Sequence, residues 1–170
     1  SGKKESALNE IDLLLSSDVK NIDLIFAKTK MLISLNQIDE ANQSLEKILD
    51  LEPKNTIALE LIYSNYLKIN NIQLAEKYIN KLINISHHKY ETIRDKAFIE
   101  YLKANYQNAE KFIEKKIKIN GEDVFGLNIY GLIKIEQDKT VEAISLFKKA
   151  ISINPKYADS FNNLGKCFID

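Results

Sequence analysis

The side chains that most readily do chemistry are few in this chain and poorly placed for it. His87 and His88 are its two histidines and Cys167 its one cysteine. Adjacent histidines at a helix end point apart, and neither has a cysteine or a third ligand close in sequence, so they read as exposed junction residues and not as a zinc site. Cys167 lies between Lys166 and Phe168 with no histidine nearby to take its proton, and reads as an inert thiol. A single cysteine also excludes an intramolecular disulfide framework. The five glycines never fall into the G-x-G-x-x-G spacing that cradles a phosphate. The short basic run at Lys115, Lys116 and Lys118 reads as a solvated helix face. The chain is therefore read as non-enzymatic, with no cofactor and no metal.

Composition narrows the class of partner. The 170 residues carry 24 basic and 24 acidic side chains, a net charge of zero, which argues against a nucleic-acid footprint. Arg94 is the one arginine; the remaining cations are lysines in a chain rich in Ile and Asn, a pattern that AT-rich codons produce without any binding role. No apolar run approaches the roughly 18 residues of a membrane span, so no membrane insertion is expected. Five glycines and two prolines are too few turn-formers for an all-β protein, and 45% hydrophobic content disfavours disorder. The lone cysteine leaves the compartment open; a cytoplasmic location is favoured over an exported one.

What must position any functional side chains is an internal repeat. Ala7, Ala41, Ala75, Ala109 and Ala143 are each 34 residues apart. Ile11, Leu45, Ile79, Ile113 and Phe147 keep the same step, as do Ile25, Leu59, Ile93, Leu127 and Phe161. No insertion breaks the register from Ala7 to Ile169. Within each unit the apolar residues follow two helical stretches, such as Ile22–Leu35 and Ile38–Leu51. Short polar turns at Asn36-Gln37, Asn70-Asn71, Ala104-Asn105 and Asp138-Lys139 separate them, and Asn or Asp there tolerates a left-handed backbone. Pro53 and Pro155 stop the second helix of their units. The pattern predicts ten helices beginning near residues 4, 21, 37, 55, 71, 89, 106, 123, 140 and 157, with small alanines where paired helices cross closely. A helix pair cannot bury its apolar face alone, so neighbouring pairs must stack.

At Leu127, Tyr130-Gly131, Ala143, Phe147, Ala150 and Pro155, and again at Phe161, Leu164-Gly165 and Phe168, the chain resembles the tetratricopeptide-repeat family. The resemblance implies an all-α solenoid, a right-handed superhelix of antiparallel helix pairs. It divides a single array into the second helix of a partial repeat at 4–21, repeats at 22–55, 56–89, 90–123 and 124–157, and the first helix of a truncated repeat at 158–170. Ser1-Gly2 reads as a tag remnant or the start of a processed segment, and the chain as a fragment of a longer array. The repeat at 90–123 is atypical: Glu100 and Lys116 stand where the family prefers apolar or small residues, and Lys134 intrudes likewise in the next. An unpaired buried charge is costly, so Glu100 and Lys116 are expected to approach each other or to reach solvent.

In tetratricopeptide arrays the first helices line a concave groove, and the resemblance implies a protein or peptide partner there. The variable first-helix positions recur at spacings of three and four, on one face. They give Phe26, Lys30, Ile57, Glu60, Glu91, Arg94, Phe98, Phe125, Asn128, Leu132, Asn162 and Lys166 as candidate groove residues. Phe98 and Phe125 are expected to share a pocket. The subtype that clamps a C-terminal carboxylate is disfavoured, because its places hold Phe26, Lys30, Leu61, Glu91 and Asp95, whose acids would repel that group. The asparagine ladder of some sugar-transferase arrays is also missing, since its column holds asparagine only at Asn163. The favoured function is a scaffold or adaptor. The alternatives are a regulatory or targeting segment of a larger enzyme and a self-associating module, the last suggested by weak end-to-end contact through Phe161, Leu164 and Phe168.

Overall fold

The computed structural model describes residues 2–85 and 90–169; His87 and His88 lie outside them. Among the described residues the chain is all-α, with ten helices: α1 (Gly2–Ser17), α2 (Ile22–Ser34), α3 (Ile38–Leu51), α4 (Thr56–Lys68), α5 (Ile72–Ile85), α6 (Tyr90–Leu102), α7 (Tyr106–Asn120), α8 (Val124–Glu136), α9 (Thr140–Ile153) and α10 (Ala158–Lys166). Their starts fall within two residues of those the 34-residue step predicts. The chain divides into two compact units, Ser1–Ile85 and Ser86–Asp170. In the first, each of α1 to α5 packs on the next; in the second, each of α6 to α10 does, and α8 also touches α6 and α10.

The turn inside each helix pair is made the same way four times. Asn36, Asn70, Ala104 and Asp138 adopt left-handed backbones, with φ of 61°, 57°, 59° and 58°. Each donates its N–H to a carbonyl three residues back, and the following residue donates to a carbonyl five back, as Asn71 does to Tyr66 at 2.8 Å. This is the Schellman arrangement, which satisfies the last carbonyls of a helix while reversing the chain. The residue after the reversal begins the next helix, so the two helices of a pair lie antiparallel with no slack between them. Entry into the first helices is fixed by side chains: Asn21, Asn55 and Asp123 accept from the backbone N–H of Leu24, Ala58 and Gly126 at 3.1, 3.0 and 2.8 Å.

Between the turns, the repeated columns form the core. Ala41, Ala75, Ala109 and Ala143 are fully buried, as are Leu45, Ile113 and Phe147 four residues on. In the second unit, Ala97, Ala109, Ile113, Ile129 and Ile133 cluster, with Phe98 and Tyr101 packed against them. Gly131 shows how tight the crossing is. A Cβ added there would lie 2.4 Å from the ring of Phe147.

The atypical repeat departs from expectation. Glu100 and Lys116 are both buried, and they do not meet; each has its own partners. Glu100 accepts from Lys96 at 2.9 Å, one turn earlier on α6, and from the Asn105 amide at 3.0 Å. It thereby ties the end of α6 to the turn that follows. Lys116, 1% exposed, donates to the Gly121 carbonyl at 2.8 Å and to the Asp123 carboxylate, which also caps α8. Lys134 is likewise buried, held by Glu110 at 2.6 Å and Glu142 at 3.0 Å. The first unit has polar but uncharged groups at the corresponding depth: the Asn65 amide donates to the Asn42 carbonyl oxygen at 2.8 Å. Burial pushes the Asp123 carboxyl up, but hydrogen bonds from Lys116 and the Gly126 N–H outweigh it, leaving the group below its ordinary range.

Two outcomes follow from these features. Alanine gains nothing from a left-handed backbone, which costs an L-residue about 1–2 kcal/mol. Ala104→Gly is therefore expected to raise unfolding stability by about 0.5–1 kcal/mol after the greater chain entropy of glycine is deducted, measurable by urea titration. Asp123→Asn should cost about 2 kcal/mol at neutral pH, less than for a fully buried pair because the carboxylate is partly exposed. A depressed carboxylate contributes stability above its unfolded pKa of about 3.9 and loses it as pH falls through the lower folded value. The gap between wild type and Asp123→Asn should thus close in acid; a gap that persists unchanged at pH about 2 would contradict it.

Candidate functional site

The first helices of each pair bear the candidate residues. In the first unit, α2 carries Phe26, partly buried, and Lys30, exposed; α4 carries Ile57 and Glu60, both exposed. In the second unit, α6 carries Glu91, exposed, and Arg94 and Phe98, partly buried; α8 carries Phe125, exposed, and Leu132, partly buried; α10 carries Asn162 and Lys166, both exposed. Asn128 is a correction. It is 7% exposed, because α10 covers it, and its side-chain oxygen accepts from Ser160 at 3.3 Å and Asn163 at 3.1 Å. It joins α8 to α10.

The two phenylalanines have different neighbours. Phe98 stacks on Tyr101, with ring centroids 6.3 Å apart, and packs against the core of the second unit. Around Phe125 stand Tyr157 and Arg94. The rings of Phe125 and Tyr157 stand at 74° to each other with centroids 5.1 Å apart, and the guanidinium of Arg94 lies over the Phe125 ring, 5.3 Å from its centroid. A ladder therefore runs from α6 through α8 to the start of α10: Arg94, Phe125, Tyr157. Even with both neighbours, Phe125 is 52% exposed.

Acidic groups surround this ladder. Asp95 accepts from Arg94 at 2.8 and 3.0 Å. Burial works to lower the Arg94 pKa, but the negative charges of Asp95, Asp123 and Glu91 raise it on balance. Tyr157 is pushed up to about 12, by burial first and then by the hydrogen bond of its hydroxyl to Asp159. At neutral pH the ladder is thus one guanidinium and two neutral rings set among carboxylates. No group of three or more His, Cys, Asp or Glu among the described residues could hold a metal ion. No described helix is long and apolar enough to cross a membrane.

Tyr157 was not among the candidates, although a signal existed. It stands 34 residues after Asp123, in the column where Asn21 and Asn55 cap their helices. An aromatic there makes no capping hydrogen bond. Its place in a column of capping residues was the mark of a different task.

Comparison with known proteins agrees with this architecture. The sequence model described as tetratricopeptide repeat matches residues 25–55 and 126–157, one stretch in each unit. The Sol locus transcriptional repressor of Clostridium acetobutylicum is 28% identical over 140 residues, which cover 78% of this chain and 41% of the repressor. This chain thus spans about two fifths of that relative's length. Among solved structures, MamA has a TM-score of 0.77 at 20% identity, with 92% of both chains covered. YrrB, titled a TPR protein with an unusual peptide-binding site, has a TM-score of 0.69 at 16% identity, covering 94% of this chain and 82% of its own. At such identities the likeness is one of fold. A helix pair renewed every 34 residues, matched as tetratricopeptide repeat at one stretch in each unit, thus has the fold of the tetratricopeptide proteins already solved.

Proposed function

We propose that the chain is a protein-interaction scaffold, without chemistry of its own, that holds a partner protein or peptide on the outward face of its first helices. The observation that carries this reading is Phe125. It is a large aromatic, half exposed, on a helix where Leu127, Ile129 and Ile133 are all buried. The Tyr157 ring packs against it and the Arg94 guanidinium lies over its ring, yet half of its surface stays exposed, as in interface anchors, where aromatic and Arg side chains carry most of the binding energy. Leu132 lies two turns along the same face. The fold agrees, since tetratricopeptide proteins serve as interaction scaffolds.

The test is capture of a partner from an extract of the source cells by the immobilised chain. Phe125→Ala and Leu132→Ala together should abolish capture while the helical circular dichroism and urea midpoint stay near wild type. Phe98→Ala differs in kind: its ring is packed on the core, so it should cost about 2–3 kcal/mol of stability. Capture that survives the loss of Phe125 and Leu132 refutes the face.

A second reading has its own observation. Phe161 shares a column with Ile25, Leu59, Ile93 and Leu127, all buried, yet is 48% exposed. At the other end Leu14 shares a column with the buried Ile48 and Leu82 and is also exposed. One face belongs to a first helix and the other to a second helix, so they suit each other in size and character. With Leu164 and Phe168 beside Phe161 on α10, this supports weak end-to-end association of the 170-residue chain. Sedimentation velocity should show a concentration-dependent increase in size that Phe161→Ser removes; a sedimentation coefficient independent of concentration rules it out.

A further inference from the structure

The ladder in the second unit carries information about the chemistry of what it holds. Tyr157 occupies a capping position without capping, which deprives α10 of a hydrogen bond that Asn21, Asn55 and Asp123 supply to their own helices. Its ring instead buttresses Phe125 edge-on at 5.1 Å. A local rule broken beside an exposed aromatic is the pattern of a surface shaped for contact. The charge around that surface has one sign in excess. Glu91 and Asp95 on α6, Asp123 at the start of α8 and Asp159 on α10 set four carboxylates about the ladder; Lys116 holds Asp123 and the Arg94 guanidinium holds Asp95 at 2.8 Å, which leaves Glu91 and Asp159 as the exposed acids. Lys166, the exposed cation of α10, lies about 10 Å further along its helix from Asp159.

We infer that this face of the second unit docks a protein segment bearing Lys or Arg beside a large apolar side chain. The apolar group covers the exposed half of Phe125, and the cations lie against the exposed carboxylates of Glu91 and Asp159. The inference rests on the reading that the first-helix face binds a partner, and adds the partner's chemistry. A segment presenting its own carboxylates meets like charge here and is rejected. Complementary potential also gives the encounter a salt dependence that an apolar contact lacks.

The experiment selects a random-peptide display library on the full 170-residue chain. Recovered peptides are then synthesised and measured by fluorescence anisotropy against wild type, Phe125→Ala and the double variant Glu91→Lys, Asp159→Lys. Basic residues next to Phe, Trp or Leu should be enriched. Phe125→Ala should weaken binding about tenfold, as loss of an interface anchor does. The charge-reversed variant should weaken it similarly, and wild-type affinity should fall as salt rises. Peptides that depend on Phe125 but show no basic excess, or that bind the charge-reversed variant as well as wild type, overturn the inference and leave the docking face standing. Peptides indifferent to Phe125, or a selection that enriches nothing, overturn both.

Discussion

The close crossing of the two helices in each pair is the constraint on which the rest depends. It requires a side chain no larger than alanine at one point on the second helix, and that point recurs at Ala41, Ala75, Ala109 and Ala143, all fully buried. Because the backbones approach so near, little room is left for variation in the turn between them. The left-handed residue and its paired hydrogen bonds then appear at a fixed step, even where the residue is Ala104 and gains nothing by it. Spacing, turn and core column are one requirement seen at three places. Large apolar groups fill the space around each crossing, and Gly131 yields its own volume to the ring of Phe147.

That requirement leaves the outward positions of the first helices unconstrained, and there the sequence varies. The same element thus packs on one side and presents variable side chains on the other. In the second unit the division is visible within one turn of α8. Leu127 and Asn128 are buried, the first in the core and the second bonded to α10, while Phe125 looks outward. The carboxylates around Phe125 also have dual roles. Asp123 caps α8, anchors Lys116 and adds its field to Arg94.

Helix positions and turns were legible in the sequence because they follow from backbone geometry that repeats without insertion. The partners of the buried charges were less so. Glu100 finds Lys96 one turn away on its own helix, a local pairing that periodicity across repeats does not point to. Lys116 finds Asp123 across the junction between repeats, at the place where the chain changes direction. Asn128 sat in a column that otherwise varies like a groove position; only its contact with Ser160, in the next repeat, takes it out of reach. Tyr157 was legible in principle, as an aromatic among capping residues, but column by column the eye follows what is kept and not what is replaced.

The charges buried in the second unit bear on assembly. A repeated chain can fold out of register, with a helix pair docked against the wrong neighbour, and misassembly is a characteristic failure of such arrays. Repeats two steps apart here are not interchangeable. Were α8 to settle on α3 in place of α7, Lys134 would face Asn42 where Glu110 belongs, and Lys116 set against α4 would meet Asn55 where Asp123 belongs. The second error strands the Lys116 ammonium away from water without its carboxylate, at a cost of about 3–5 kcal/mol, while Lys134 keeps only Glu142 of its own pair. These departures thus act against a slip of two repeats: the correct neighbour completes the charge of Lys116, and α4 does not.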